Sequence, residues 1–179
     1  MRKHKEDWLE SGIKILGKYG LSGLTIERMC EELGVTKGSF YHHFESMGDF
    51  EEQLIAYWAE QYLSTQTGIP DDPQERLALL DRIMEEMFSP ITEPEVAVRM
   101  WAYQDERVSE YVEKVDLVRR NFALKVFRSY SGDEEGARLM ADMLFTMLIG
   151  SITMLPRMSP ARVQDIYLEF KRLYGLMAD

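Results

Sequence analysis

The sequence predicts an all-α fold of about nine helices, and three observations lead to this class. Apolar residues recur every three or four positions through most of the 179 residues, which is the spacing of helices that bury one face. Glycine, proline, serine and threonine interrupt these stretches where helices are expected to begin and end. No strand-like alternation, internal repeat or low-complexity tract is present.

Two short helices joined by a glycine turn are predicted near the start of the chain. Thr25 is a good N-cap for the first helix, whose apolar residues share one face: Ile26, Met29, Cys30 and Leu33. Gly34 supplies the C-terminal stop, because glycine tolerates the left-handed backbone. Thr36 can then cap a second helix that runs to about His43. Two short helices around a tight turn are the helix-turn-helix pattern.

The second of these helices has an inward and an outward side. Phe40 and Phe44 are four residues apart and are expected to anchor it inward. The polar residues left outside suit the major groove of DNA: Thr36, Lys37, Ser39, Tyr41, His42 and His43. Because two short helices cannot bury their apolar faces alone, the helix predicted over Lys5–Tyr19 must complete a three-helix head.

Six further helices are predicted in the rest of the chain, over residues 46–65, 73–88, 92–104, 106–130, 133–155 and 160–177. Ser46, Thr92 and Ser159 stand at their starts, while Gly132 and Pro156 stand at stops. The helix over 133–155 is apolar nearly all round, so we expect it to be buried on two sides, by the body and by a second subunit.

Composition and charge limit the class of protein. The formal net charge is −10, but residues 1–47 hold seven basic and seven acidic residues, so the whole excess lies in residues 48–179. Cys30 is the single cysteine, which excludes an intramolecular disulfide and fits a reduced interior. No apolar run of about 18 residues and no secretory signal is visible. We therefore expect a cytoplasmic protein without a membrane partner.

The stretch GLSGLTIERMCEELGVTKGSFYHHFES, residues 20–46, resembles the DNA-binding signature of TetR-family transcriptional regulators. The resemblance rests on Gly20, Thr25, and the runs over residues 33–39 and 40–44, about a quarter of the chain in all. It implies a DNA-binding domain over residues 1–47 and a ligand-binding and dimerisation domain over 48–179. It also implies a homodimer that binds a near-palindromic operator, a four-helix-bundle interface, and a repressor released by a small, largely apolar effector.

DNA contacts are expected from nine head residues: Thr25, Arg28, Thr36, Lys37, Gly38, Ser39, Tyr41, His42 and His43. The resemblance implies that Thr25 contacts a phosphate and that Tyr41 and His43 contact the DNA backbone at the edge of the groove. Lys37 could meet a base edge or a phosphate. Arg28 is either a contact or half of a surface ion pair, and His42 is either a contact or a solvated histidine. The family usually has a lysine that contacts a phosphate where this chain has Met47, so that contact is in doubt.

The resemblance also implies an effector cavity in the body. A pocket for a small molecule needs an apolar lining and a few polar anchors. The residues that could line it are Trp58, Tyr62, Met84, Met87, Phe88, Arg99, Met100, Trp101, Gln104, Arg119, Phe122 and Phe145. Each of them could instead be ordinary core. For Arg99, a carboxylate partner or a ligand is expected, with a surface position as the alternative.

The resemblance implies that the last two helices form the dimer interface. Its candidate residues are Met140, Leu144, Leu148, Ile152, Val163, Ile166, Phe170 and Leu173.

No sequence feature indicates catalysis, a cofactor or a metal site, because nucleophile elbows, phosphate-binding glycine loops and metal-ligand spacings are missing. The chain is therefore not expected to be an enzyme. An alternative function keeps the head but lacks an effector cavity: a ligand-independent DNA-binding module, or one whose acidic body responds to a protein partner. A filled core would favour that alternative.

Overall fold

A computed structural model describes residues 3–63, 69–87 and 93–177. Within these ranges the chain forms nine α-helices and a short 3-10 turn at Leu21–Gly23, with no strand, so the predicted all-α class is confirmed. The helices are α1 (Lys5–Tyr19), α2 (Ile26–Leu33), α3 (Lys37–Tyr41), α4 (Met47–Leu63), α5 (Pro73–Met87), α6 (Glu93–Ala102), α7 (Glu106–Phe127), α8 (Glu134–Thr153) and α9 (Pro160–Leu173). None of these described helices is long and apolar enough to cross a membrane.

The predicted boundaries hold for α1 and α2, and several other helices are shorter than expected. Helix α3 has only five residues, since the chain turns after Tyr41. Helix α7 ends at Phe127, where the amide of Ser131 donates to the Phe127 carbonyl over 2.8 Å and closes the turn. The expected end of α4 at residue 65 and the expected cap at Thr92 lie outside the described residues.

The chain divides into two compact units. The head unit falls within Met1–Thr65 and Glu93–Val115, and the body unit within Gln66–Thr92 and Asp116–Asp179. Helices α4 and α6 pack with α1, so the head unit is larger than the three-helix head. The functional boundary expected at residues 47 and 48 falls inside this unit and stays a prediction.

An aromatic cluster forms the core beneath α3. Its members are Trp8 of α1, Phe40 of α3, Phe44, and Phe50 of α4, all buried. The Phe40 ring centroid lies 5.5 Å from that of Trp8, 5.2 Å from Phe44 and 5.7 Å from Phe50. The prediction that Phe40 and Phe44 point inward is confirmed. A helix of five residues has almost no stability of its own, so this cluster fixes the position of α3.

The turn between α2 and α3 is set by local hydrogen bonds. The Thr25 hydroxyl accepts from the Arg28 amide over 3.3 Å, which confirms Thr25 as the N-cap of α2. Gly34 has φ of 66°, the left-handed conformation that was expected. The Val35 amide then donates to the Cys30 carbonyl over 3.0 Å. Thr36 occupies the N-cap position of α3, but its side chain makes no capping bond.

Helix α6 packs closely against α1 in the head unit. A Cβ atom on Gly17 would lie 3.0 Å from Cγ of Pro94, so only glycine allows this approach without a shift. Arg99 is buried, and its Nε donates to Glu95 over 2.9 Å. The expected carboxylate partner of Arg99 is therefore present, so this buried charge is paired.

The body unit has its own core, built by α5, α8, α9 and the second half of α7. Met84, Phe122, Phe127 and Leu144 are among its buried residues. Asp81 of α5 accepts hydrogen bonds from Tyr167 Oη over 2.8 Å and from Lys171 Nζ over 2.8 Å. Burial is the main reason that the pKa of Tyr167 is raised, with the bond to Asp81 as a second cause.

Phe40→Ala should lower the free energy of unfolding of the head unit by about 3–5 kcal/mol, because it removes a fully buried ring from the aromatic cluster. The 3 tryptophans of the chain, Trp8, Trp58 and Trp101, all lie in the head unit, so urea unfolding followed by tryptophan fluorescence reports on this unit. Tyr103→Ala is the control, because Tyr103 is 85% exposed and its loss should cost less than about 0.5 kcal/mol. Equal effects of the two changes would contradict the role of the cluster.

Candidate nucleic-acid interface

Anchoring Phe40 and Phe44 in the core turns the rest of α3 toward solvent. Thr36, Lys37, Gly38, Tyr41 and His42 are exposed, and Ser39 and His43 are half-buried. Tyr41 keeps 58% of its surface and still packs its ring edge-on against Phe40, at 5.4 Å between centroids. We call these seven residues the reading surface. The structure thus brings seven of the nine predicted DNA contacts onto one short segment.

Lys37 links the reading surface to the start of α2. Its ammonium group donates a hydrogen bond to the Glu27 carboxylate, and both side chains are about 60% exposed. This bond raises the pKa of Lys37 and lowers the pKa of Glu27. Exposed ion pairs contribute little to stability. The Lys37 ammonium can therefore exchange this carboxylate for another anion at a small cost.

Arg28 is used inside the head. Its Nη1 donates to the carbonyl of Gly23 over 3.0 Å, and its guanidinium lies 4.3 Å from the centre of the Tyr19 ring. These contacts tie the start of α2 to the end of α1. They correct the expectation of a surface ion pair, since the partners of Arg28 are a carbonyl and an aromatic ring. A direct contact of Arg28 with DNA stays a prediction.

His43 contacts Lys3, a contact that no local spacing in the sequence predicts. Its Nε2 lies 3.1 Å from the carbonyl oxygen of Lys3, while the neighbouring His42 ring stays exposed. Lys5 is close by, with its Nζ 5.6 Å from the centre of the Phe44 ring. The only sequence signal for this arrangement was the basic run over residues 2–5.

The predicted pocket residues are divided between the two units. The head unit holds Trp58, Tyr62, Arg99, Met100, Trp101 and Gln104, and the body unit holds Met84, Arg119, Phe122 and Phe145. Trp58 and Trp101 belong to the head core, and Met84 and Phe122 to the body core. Met100 and Gln104 are exposed. Phe88 and the Met87 side chain lie outside what the structure describes. The pocket assignment stays a prediction.

A groove in the head unit includes one of the predicted pocket residues. It is lined by Glu51, Glu52, Ile55, Trp101, Arg107, Val108, Glu110, Tyr111 and Lys114, of which only Trp101 was predicted. Burial raises the pKa of Glu51, against the opposing effect of Arg107. The sequence does not distinguish these residues, because acidic residues on a helix usually indicate a solvated face.

The predicted dimer residues require a correction. Most of them are buried in the core of a single chain: Met140, Leu144, Leu148, Ile152, Val163 and Phe170. Only half-buried Ile166 and Leu173, which is 65% exposed, face outward. Both faces of α8 are apolar, and the face chosen from sequence is the one that packs against α5, α7 and α9. The exposed apolar residues of α8 include Leu139 and Met143, and Met147 is half-buried.

Comparison with known proteins shows that the head resembles helix-turn-helix transcriptional regulators. The family described as "Bacterial regulatory proteins, tetR family" matches residues 9–54. An uncharacterized HTH-type transcriptional regulator of Bacillus subtilis, YerO, is 31% identical over 78 residues, which is 44% of this chain. The chain spans about a quarter, 26%, of the length of that relative.

Solved structures share the fold over nearly the whole chain. A TetR transcription regulator from Haloarcula marismortui superposes with a TM-score of 0.74 and 20% identity, over 97% of each chain. Salmonella enterica GusR gives a TM-score of 0.69 and 12% identity, over 94% of this chain and 92% of its own. A transcriptional regulator from Rhodococcus sp. Rha1 gives a TM-score of 0.68 and 17% identity, over 93% of this chain and 95% of its own. The match to the tetR family of bacterial regulatory proteins thus covers residues 9–54, from α1 into α4, and the solved structures share the fold of the chain beyond that match.

Proposed function

We propose that the chain is a sequence-specific DNA-binding transcriptional regulator whose helix α3 enters the major groove. One observation carries this proposal: the aromatic cluster fixes a helix of five residues so that Lys37 and Tyr41 are exposed and Ser39 is half-buried. Lysine, serine, threonine, tyrosine and histidine side chains are suited to base edges and phosphates. The names of its relatives, which are transcriptional regulators, support the same function.

The proposed DNA-binding form is a homodimer. Two copies of α3 would then read half-sites about one helical turn, roughly 34–36 Å, apart on a near-palindromic operator. A groove between α8 and α9 supports this assembly, because Met143, Met147, Ile166 and Leu173 line it with apolar surface. A Cβ on Gly150 of α8 would meet no atom within 4 Å, so a partner helix could approach closely there.

The charge distribution favours head-first binding. The head residues 1–47 are formally neutral, whereas residues 48–179 hold 14 basic and 24 acidic residues. Phosphates repel the acidic part, so only approaches that lead with the reading surface are favourable. We expect a smaller salt dependence than for a strongly basic DNA-binding protein.

Regulation is proposed to act through a small effector that lowers affinity for the operator, which makes the chain a repressor. An effector can release DNA only to the extent that it prefers one of two states of the protein. The alternative is a regulator without an effector cavity, and one observation favours it. Four predicted pocket residues, Trp58, Trp101, Met84 and Phe122, already pack in the two cores.

The experiment that tests DNA binding is the selection of bound fragments from randomised duplex DNA by the purified chain at near-physiological salt. Recovery of an inverted repeat with a fixed spacing is the expected result. Recovery of a single half-site would contradict the dimeric arrangement but would still support sequence-specific binding through α3. Recovery of no enriched motif by a folded chain would contradict sequence-specific binding.

Lys37→Ala should weaken binding to the selected site by about 1–3 kcal/mol if Lys37 meets a base edge, since a specific hydrogen bond is lost. Fluorescence anisotropy on the selected duplex and on an unrelated duplex measures both affinities. Equal weakening on the two duplexes would make Lys37 a phosphate contact, and no change on either would contradict its role.

Glu27→Gln should tighten binding to any duplex several-fold at low salt, because it removes the carboxylate that holds Lys37 and a negative charge beside the reading surface. The gain should shrink as salt rises. Glu32→Gln is the matched control, since this exposed carboxylate lies five residues along α2 and on a different face. Equal effects of the two changes would show that only total charge matters.

Leu173→Glu should convert the proposed dimer into a folded monomer, because it places a charge on the outward apolar groove of the body unit. Light scattering after size exclusion measures the mass, and circular dichroism checks the fold. Tyr103→Glu is the control, at a position in the head unit that is 85% exposed. An unchanged dimer mass for Leu173→Glu would contradict this interface. Leu148→Glu would not test the dimer interface, because Leu148 is buried in the core of the single chain.

A further inference from the structure

The segment Lys3–Lys5 contacts His43, two residues past the end of α3. Nε2 of His43 is 3.1 Å from the carbonyl oxygen of Lys3, a contact between residues 40 positions apart. A carbonyl can only accept, so the imidazole must donate its N–H in this bond. The His43 ring is half-buried, so much of its surface is already used within the protein.

Lys5 lies over the turn between α3 and α4. Its side chain is exposed, and Nζ is 5.6 Å from the centre of the Phe44 ring. A second observation places its charge near the start of α4. The pKa of Asp49 is lowered chiefly by hydrogen bonds from the Glu45 amide and from Gln53, and the positive charge of Lys5 adds to this effect.

Lys3 and Lys5 differ from the other cations of this region in their partners. Lys37 is bonded to Glu27, and Arg28 is bonded to Gly23 and stacked on Tyr19. In the ranges that the structure describes, no carboxylate lies within ion-pairing distance of either Lys3 or Lys5. Two ammonium groups are therefore available to an external anion at the edge of the reading surface.

We propose that the segment Lys3–Lys5 is part of the DNA interface, where Lys3 and Lys5 bind phosphates of the duplex beside the α3–α4 turn. His43 is the positioning residue: it acts through the main chain of Lys3, which it holds against the end of α3. This inference rests on the DNA binding proposed above. Its chemistry is that of phosphodiester groups, so it contributes to general affinity and to register, and not to the choice of bases.

The first test is Lys5→Ala, measured by fluorescence anisotropy between 50 and 200 mM salt on the selected duplex and on an unrelated one. We expect about tenfold weaker binding at 50 mM on both duplexes, since a phosphate contact does not depend on sequence. The difference from the wild type should shrink about threefold by 200 mM, because the variant releases about one counterion fewer.

Lys14→Ala is the matched control for Lys5→Ala. Lys14 is also exposed and lies on α1 nine residues further along, which at about 100° per residue places it on the opposite face. It should leave affinity and salt dependence close to those of the wild type. If Lys5→Ala and Lys14→Ala behave alike at every salt concentration, the inference is overturned. A wild-type chain that binds no duplex would instead overturn the proposed function and this inference with it.

The second test is the double variant His43→Ala with Lys5→Ala. If His43 positions the segment, His43→Ala alone should reproduce the reduced salt dependence, and adding Lys5→Ala should cost less than twofold more. His43→Gln should recover part of the loss, because its amide can donate to the Lys3 carbonyl. Independent, multiplying losses would show that His43 contacts DNA itself and would overturn its positioning role. Tryptophan fluorescence checks that each variant keeps a folded head unit.

Discussion

The contact between Phe40 and the aromatic rings around it is the constraint on which the proposed function depends. Helix α3 has five residues, less than two turns, and an isolated helix of that length does not persist in water. Trp8, Phe44 and Phe50 surround the Phe40 ring within 5.7 Å. These rings come from α1, the turn between α3 and α4, and α4. The orientation of the reading surface is therefore a property of the whole head unit.

The charged groups of the head and their present partners determine how the reading surface can bind DNA. Lys37 is already bonded to Glu27, and Arg28 donates to the carbonyl of Gly23. At Lys37, binding of DNA is then an exchange of one anionic partner for another. Exposed pairs of this kind are weak, so the exchange costs little, and the acidic residues of the rest of the chain oppose binding in other orientations. A protein with a net charge of −10 can bind DNA on these terms.

Local features of the fold could be predicted from sequence, and long-range ones could not. Thr25 and Gly34 stand at the two ends of α2 as expected, because helix capping and a glycine in the left-handed conformation depend only on residues close in sequence. The inward face of α8 was assigned to a partner subunit, because a helix apolar on both faces does not reveal which face meets its own chain. The contact of His43 with Lys3 joins residues 40 positions apart, and no local spacing encodes such a contact.

Native-state hydrogen exchange of the amide of Phe44 tests most directly whether the aromatic cluster holds α3. This amide donates to the Phe40 carbonyl over 3.0 Å at the end of α3. If the cluster fixes α3, the Phe44 amide should open with the same free energy and urea dependence as the core amides of α1, around Leu16. A Phe44 amide that exchanges nearly unprotected while α1 stays protected would contradict the account, because α3 would then open independently of the core.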